Sequence, residues 1–346
     1  MKPCRAMPAS TDETRPVFLS GVYRSGTTFL TAVVNNIPAI AAASSTVKYL
    51  RFCYPHFSNP ADPAELRRLL EQTNERVSKR WGLHLSEEAV SSQLSDGQIT
   101  HSRVYDAIMQ SLLVADKPGA TRWAEKLAAQ WRDIPLFLEM FPKGQVVHVM
   151  RDPRDVTASY KKMTYEPWPT YLDAALNCKG AMMELPNLQR THGTDRILIL
   201  RAEDLATNLP GEMCKICEFL GEPYVDDMAD LSRFSEIKGE AWRTNTSFEE
   251  TGDNYSKATS RWERHLDPEE VFLVEMICQP DMAAFGYEGS GLDMAAISAE
   301  RLGQIFADPW FASRMSYYLT HGRPMQGYRT DPYQTEMEIV FGAARG

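Results

Sequence analysis

The sequence predicts an α/β protein with a central parallel sheet flanked by helices on both faces. Three observations carry that prediction. The apolar runs at residues 17–19, 145–150 and 195–200 have the length of buried strands. Each is followed by helix-start chemistry and a stretch of helical periodicity, the alternation that builds a parallel sheet. The first run also meets a glycine- and hydroxyl-rich turn, Ser20-Gly-Val-Tyr-Arg-Ser-Gly-Thr-Thr28.

That turn reads as strand, phosphate loop, helix. Gly21 and Gly26 let the backbone turn tightly, while Thr27, Thr28 and the amides that follow can aim N–H and O–H donors at an anion on a helix N-terminus. Phe29, Leu30, Ala32, Val33, Val34 and Ile37 then recur at helical spacing up to Pro38, which stops the helix. The nucleotide pattern GxxxxGK[ST] is nearly met by residues 21–28, but Thr27 stands in the lysine position and Arg24 supplies the charge from within the loop. An oxyanion ligand is expected.

Residues 40–54 read as a second strand with a loop or helix start. Residues 60–119 read as helical, opened by Asp62-Pro-Ala-Glu65 as an N-cap with proline in the first turn; a second helix is expected over 101–114. This insertion, about residues 55–120, is where acceptor selectivity is expected. After Trp123-Ala-Glu-Lys126 comes a helix over 134–141, stopped by Pro142-Lys-Gly144, and then the strand at 145–150. Arg151 follows it directly, at a strand's carboxyl end, where open α/β sheets bind ligands. Asp152-Pro153 reads as cap and first turn of a helix carrying Val156 and Tyr160. The strand at 195–200 leads into Arg201-Ala-Glu-Asp-Leu205 and a helix over 210–220 ended by Gly221. Residues 232–257 read as a long polar loop, a mobile lid, and 260–285 as one helix. From 289 to 346 an amphipathic part with Leu302, Ile305, Phe306, Trp310, Phe311 and Met315 precedes a stretch without pattern.

Composition narrows the function. At 346 residues, 43% hydrophobic and 24% charged, the chain suits a single large domain. The expected division is a flexible leader over 1–16, a domain over 17–287 and a C-terminal extension over 288–346. A formal charge of −9 argues against a nucleic-acid partner, so any anion must be gripped by a few local cations. Six cysteines without a framework, and no apolar stretch near the roughly 18 residues of a membrane span, point to a cytoplasmic protein with no membrane partner. The leader lacks the apolar core of a secretory signal. Cys214 and Cys217 lie in a helical pattern and read as core packing, His148 as a satisfied core histidine, and Arg154 and Asp155 as surface caps or pairs.

Three motifs in order resemble the sulfotransferases that use PAPS (3′-phosphoadenosine 5′-phosphosulfate). Arg24-Ser-Gly-Thr-Thr-Phe29 resembles that family's 5′-phosphosulfate loop; Arg151-Asp-Pro-Arg-Asp-Val-Thr-Ala-Ser159 resembles its 3′-phosphate motif; Arg201 to Leu205 with Phe219-Leu-Gly221 resembles its later strand and helix. Trp123-Ala-Glu-Lys126 is similar to the strand bearing its catalytic lysine. The resemblance covers about residues 17 to 287. It implies a P-loop-NTPase-like sulfotransferase fold, PAPS as donor with PAP as product, and no metal. Arg24, Ser25, Gly26, Thr27, Thr28, Phe29, Arg151 and Ser159 are then expected to bind the nucleotide, with Lys126 and Arg24 stabilising the leaving phosphate. The residues agree with this: Ser159 stands eight positions after Arg151, about one and a half helical turns past the strand end, so a guanidinium and a hydroxyl can grip one phosphate.

The chain departs from the family's pattern in four places. The histidine base of the cytosolic branch would fall at Ala128, and residues 44–48, Ser-Ser-Thr-Val-Lys, lack the carboxylate other branches place after the second strand. His56 is the expected substitute base, with Glu125 and His101 as alternatives. Tyr255-Ser-Lys-Ala-Thr-Ser-Arg-Trp262 occupies the place of a late Arg-Lys-Gly element, so Ser256 and Lys257 are expected to touch the nucleotide. Ala202 replaces a tyrosine that contacts adenine. The expected acceptor is a small molecule of secondary metabolism offering a hydroxyl or an amine; the oligomeric state stays open, a homodimer included. Two other readings remain, a P-loop kinase or NTPase and a non-catalytic PAP-binding scaffold.

Overall fold

In the computed structural model, β1 (Val17–Ser20), β2 (Ile40–Ser44), β3 (Arg122–Lys126), β4 (Gln145–Met150) and β5 (Ile197–Arg201) form one parallel sheet in the order β2-β3-β1-β4-β5. The residues described are 14–44, 46–115, 117–127, 131–163, 167–234 and 259–329. Ser256, Lys257, Ala128, most of the polar loop expected over 232–257 and most of the leader lie outside them. Alternation along the strands sorts the core into two layers. Phe18, Trp123, Val146 and Met150 face one layer, and Val17, Leu19, Ala124, Val147 and Val149 face the other.

The second layer is filled by α1 (Thr27–Asn35) and α10 (Leu209–Leu220), which contribute Phe29, Leu30, Val33, Val34, Met213, Ile216, Cys217 and Leu220. Cys217 is thus a core residue. The first layer is filled by α2 (Tyr49–Phe52), α3 (Pro63–Trp81), α4 (Glu87–Gln93), α5 (His101–Met109), α6 (Ile134–Met140), α7 (Pro153–Met163) and α8 (Asp173–His192). Asp62 caps α3, accepting from the amides of Ala64 and Glu65 at 2.9 Å, as the Asp-Pro signal predicts. The helix expected over 101–114 closes at Met109 and continues as a π-helical turn over Gln110–Val114. Helix α8 has no counterpart in the sequence reading. Pro186 lies within it, and its buried side includes Asp173, Asn177 and Lys179 among the apolar residues, which blurs the periodicity.

After α9 (Ala202–Thr207) and α10, the segment expected to be one helix over 260–285 is three: α11 (Trp262–His265), α12 (Pro268–Cys278) and α13 (Asp281–Ala284). The punctuation was in the chain. Asp267 and Glu270 form a capping box, Pro268 opens α12, and Pro280 follows it, so each boundary has local chemistry that overrides the apolar pattern. The C-terminal helices α14 (Ala299–Phe306) and α15 (Pro309–His321) send Ile305, Phe311 and Met315 into the same buried cluster as α8.

Candidate functional site

The carboxyl ends of β1, β3 and β4 bring the singled-out residues to one edge of the sheet. Gly21 leaves β1 with no room for a side chain: a Cβ there would stand 2.3 Å from Ser25 Oγ and 2.9 Å from the Val149 carbonyl oxygen. Ser25 folds inward, its hydroxyl donating to Val22 O at 2.8 Å. Arg24 sits at φ 68° and Gly26 at φ 95°, so the chain passes twice through the left-handed region to turn from strand into helix. No side chain caps α1. Its first-turn amides, Thr27 to Phe29, therefore face the loop, the arrangement that attracts an anion. Thr27 and the Phe29 ring are buried, the latter 6.0 Å from Phe234, so Thr28 offers its hydroxyl to the loop while Phe29 has only its amide to give.

Lys126 ends β3 between β2 and β1, in register with Ser44 and Leu19. Its Nζ donates to Thr28 Oγ1 at 3.1 Å, which puts an ammonium at the mouth of the α1 N-terminus. Arg24, Arg151 and Ser159 meet as well. Arg24 Nε donates to Ser159 Oγ at 3.0 Å, and Arg151 Nη1 donates to the Arg24 carbonyl oxygen at 2.8 Å. Arg24 therefore bridges the two motifs, its side chain turned toward α7.

Arg154 and Asp155, expected at the surface, are both buried. Arg154 is paired with Asp152 at 2.6 Å and Glu275 at 2.7 Å and lies 4.1 Å from the Trp262 ring centroid. Asp155 accepts from the amides of Ser260 and Trp262 at 2.8 and 3.0 Å and stands 3.7 Å from Arg151. Burial pushes its carboxyl pKa up, against the pull of Arg151. The reason for the difference is tertiary: α12 and the 259–262 segment cover the first turn of α7, which local sequence takes for a solvated end. In sequence that segment begins two positions after Lys257.

Of the base candidates, His56 is exposed in the turn after α2. Glu125 is fully buried and points away from Lys126, accepting from Val47 N at 2.5 Å, Lys48 N at 2.8 Å and Tyr105 Oη at 2.5 Å. It is a structural carboxylate whose pKa burial raises. His101 Nδ1 lies 2.8 Å from Tyr49 Oη, and Tyr49 stacks on Tyr105 at 4.7 Å. Burial lowers the His101 pKa, which favours the neutral ring. His148 is in the core as expected, but neither ring nitrogen has a hydrogen-bond partner. Among the described residues no three His, Cys, Asp or Glu side chains are gathered as metal ligands would be.

Comparison with known proteins returns one family. The model of the group described as the sulfotransferase family matches residues 16–227. Rat (Rattus norvegicus) Sulfotransferase 2A2 is 26% identical in an alignment of 167 residues that covers 41% of this chain and 58% of that protein, so the match spans little more than half of the relative's length. Among solved structures, the sulfotransferase domain of a Synechococcus olefin synthase aligns at TM-score 0.47 and 16% identity, over 80% of this chain and 98% of that one. A mouse sulfotransferase complexed with PAP aligns at TM-score 0.43 and 13% identity, over 80% and 87%.

Proposed function

The chain belongs to the sulfotransferase family, and from that premise we propose that it moves the sulfuryl group of PAPS to a hydroxyl or amine of a small-molecule acceptor. The observation that carries the proposal is the meeting of Lys126 with Thr28 and of Arg24 with Arg151 and Ser159 along one sheet edge.

The donor set fits a nucleotide with two anionic ends. The Gly21 turn packs a backbone cradle against α1, whose uncapped amides, with Lys126, suit a 5′-phosphosulfate. Arg151 and Ser159, at the next strand end, suit a 3′-phosphate. With Thr27 in place of the phosphate-loop lysine, this edge is poorly equipped for a γ-phosphate and its magnesium. Bound PAPS would supply an activated sulfuryl group whose leaving group is a phosphate oxygen. Lys126 and the amides of residues 26–29 would hold the negative charge that builds there, in a site already oriented before the reaction. Thr28 fixes the Lys126 ammonium, and Ser159 fixes the Arg24 guanidinium. The acceptor would enter from the helical insertion, where Tyr54 is exposed beside His101 at 4.9 Å, a surface suited to a planar or apolar molecule. Cys53, Cys178 and Cys278 are buried free thiols, which supports a reducing, cytoplasmic setting.

Calorimetric titration with PAP, set against ATP with magnesium, tests the class of nucleotide. PAP is expected to bind and ATP not to; tight ATP binding without PAP affinity would return the chain to the kinase-like reading. In sulfuryl transfer from PAPS, Lys126→Ala is expected to lower kcat by about 10²-fold while changing PAPS affinity only several-fold. An unchanged kcat removes Lys126 from the mechanism.

A further inference from the structure

Tyr328 belongs to the C-terminal segment, a hundred residues beyond the end of the family match. Its ring packs edge-on to Tyr23 at 5.5 Å between centroids and tilted against Tyr160 at 5.0 Å. Tyr23 immediately precedes Arg24 and Tyr160 immediately follows Ser159, the two residues joined by the Arg24 Nε to Ser159 Oγ bond. The contacts form a closed circuit: Tyr23, Arg24, Ser159, Tyr160, Tyr328 and back to Tyr23.

The segment that delivers Tyr328 is firmly seated. Arg314 of α15 donates to the carbonyl oxygens of Met325 and Gly327 at 2.7 and 2.8 Å, and its Nε donates to Asp173 Oδ1 at 2.6 Å. Asn177 of α8 bonds Gly327 through both backbone groups, its Nδ2 donating to the carbonyl oxygen at 2.7 Å and its Oδ1 accepting from the amide at 3.1 Å. Gln326 packs on α8 at Gly180, where a Cβ would stand 2.2 Å from the Gln326 Nε2 atom.

We propose that Tyr328 is a positioning residue for the nucleotide site, bracing the phosphate loop and α7 so that Arg24 and Ser159 stay joined. The need for a brace is physical. Arg24 holds a left-handed backbone at φ 68°, which a residue with a Cβ adopts only against a steric cost, so the loop depends on its neighbours to keep that shape. The loop and α7 are far apart in sequence and are joined through Arg24, by its bonds with Ser159 and Arg151, and a flat ring touching both elements resists their sliding. The Tyr328 hydroxyl is buried without a hydrogen-bond partner, so the ring and not the hydroxyl does the bracing.

The inference rests on the PAPS reading, and PAP binding to the full-length wild-type chain is its control. Failure of wild type to bind PAP overturns the parent reading; equal PAP affinity in wild type and Tyr328→Leu overturns this inference alone. Leucine keeps most of the buried apolar volume and removes the flat ring. Tyr328→Leu is expected to weaken PAP about tenfold and to raise KM for PAPS in step, with kcat at saturating PAPS close to wild type. Tyr328→Phe is expected to restore wild-type affinity; a phenylalanine variant as weak as the leucine one overturns the bracing role of the ring. A purely structural role would lower Tm and leave PAP affinity intact, so a lowered Tm with wild-type affinity also counts against the proposal. If the leucine variant does not fold, Gln326→Ala, which loosens the seat of the segment on α8, serves instead and is expected to weaken PAP in the same direction; wild-type affinity there overturns the proposal.

Discussion

His148 of β4 stands in register with Ser20 of β1, and neither side chain has a hydrogen-bond partner although both are fully buried. Burial drives the imidazole pKa from 6.5 down to about 3. The unfolded chain then takes up a proton near pH 6.5 that the folded chain refuses until about pH 3, so stability is lost as pH falls through that window. At pH 5 the loss relative to pH 8 is about 2 kcal/mol. His148→Leu removes both the unpaired nitrogens and the proton linkage, and urea denaturation at pH 8 and pH 5 is expected to show a flatter dependence than wild type. An unchanged slope would place the acid sensitivity elsewhere. The position of His148 inside an apolar strand was legible in the sequence; that its nitrogens lack partners was not, because partners come from neighbouring strands and helices. The same holds for Arg24. Its place in the loop is local, but its turn toward Ser159, 135 positions away, is a property of how β1 and α7 meet.

At the scale of elements, the turn between β2 and α2 depends on a residue from another strand. Lys48 caps α2 in a left-handed conformation at φ 50°, and its amide, like that of Val47, ends on the Glu125 carboxylate. Glu125→Ala orphans two buried backbone donors and the Tyr105 hydroxyl, and should cost about 3 kcal/mol of unfolding free energy. Glu125→Gln keeps an amide oxygen for the two N–H groups, and the Tyr105 hydroxyl can rotate to accept from the new NH₂, so its cost should be about 1 kcal/mol. Chemical denaturation of the two variants checks the ordering, and equal losses would refute the clamp. Alternation along β3 separates Glu125, an alternative base in the sequence, from its neighbour: Lys126 faces α1, and Glu125 faces the opposite layer. The boundaries of α12 were also written locally, in Asp267, Pro268 and Pro280, where the expected single helix over 260–285 breaks.

For the whole molecule, the C-terminal helices are tied to the domain through Asp173 of α8, which receives Arg314 at 2.6 Å and the Trp310 indole. Both members of the ion pair are buried. Removing one leaves an unpaired charge in the interior, so Asp173→Ala should cost about 3–5 kcal/mol; replacing both with leucine leaves no bare charge and should cost less, even though the Trp310 indole and the Met325 and Gly327 carbonyls lose partners. A urea titration of the single and double variants separates the two cases, and equal losses would mean the pair contributes no charge compensation. The sequence by itself determined the parallel α/β plan, the glycine-bearing loop with arginine and threonine where a nucleotide loop has lysine, and the Arg151 to Ser159 spacing. Those features rest on chain stiffness, strand and helix periods and local turn chemistry, all of which act within about ten residues. Only the tertiary structure decided that Arg24 joins Arg151 and Ser159, that Glu125 is a clamp, that Asp155 is buried under the 259–262 segment, and that Tyr328 reaches the loop. Each rests on a contact between residues more than 70 positions apart, and such contacts are set by which layers pack together, not by any local preference.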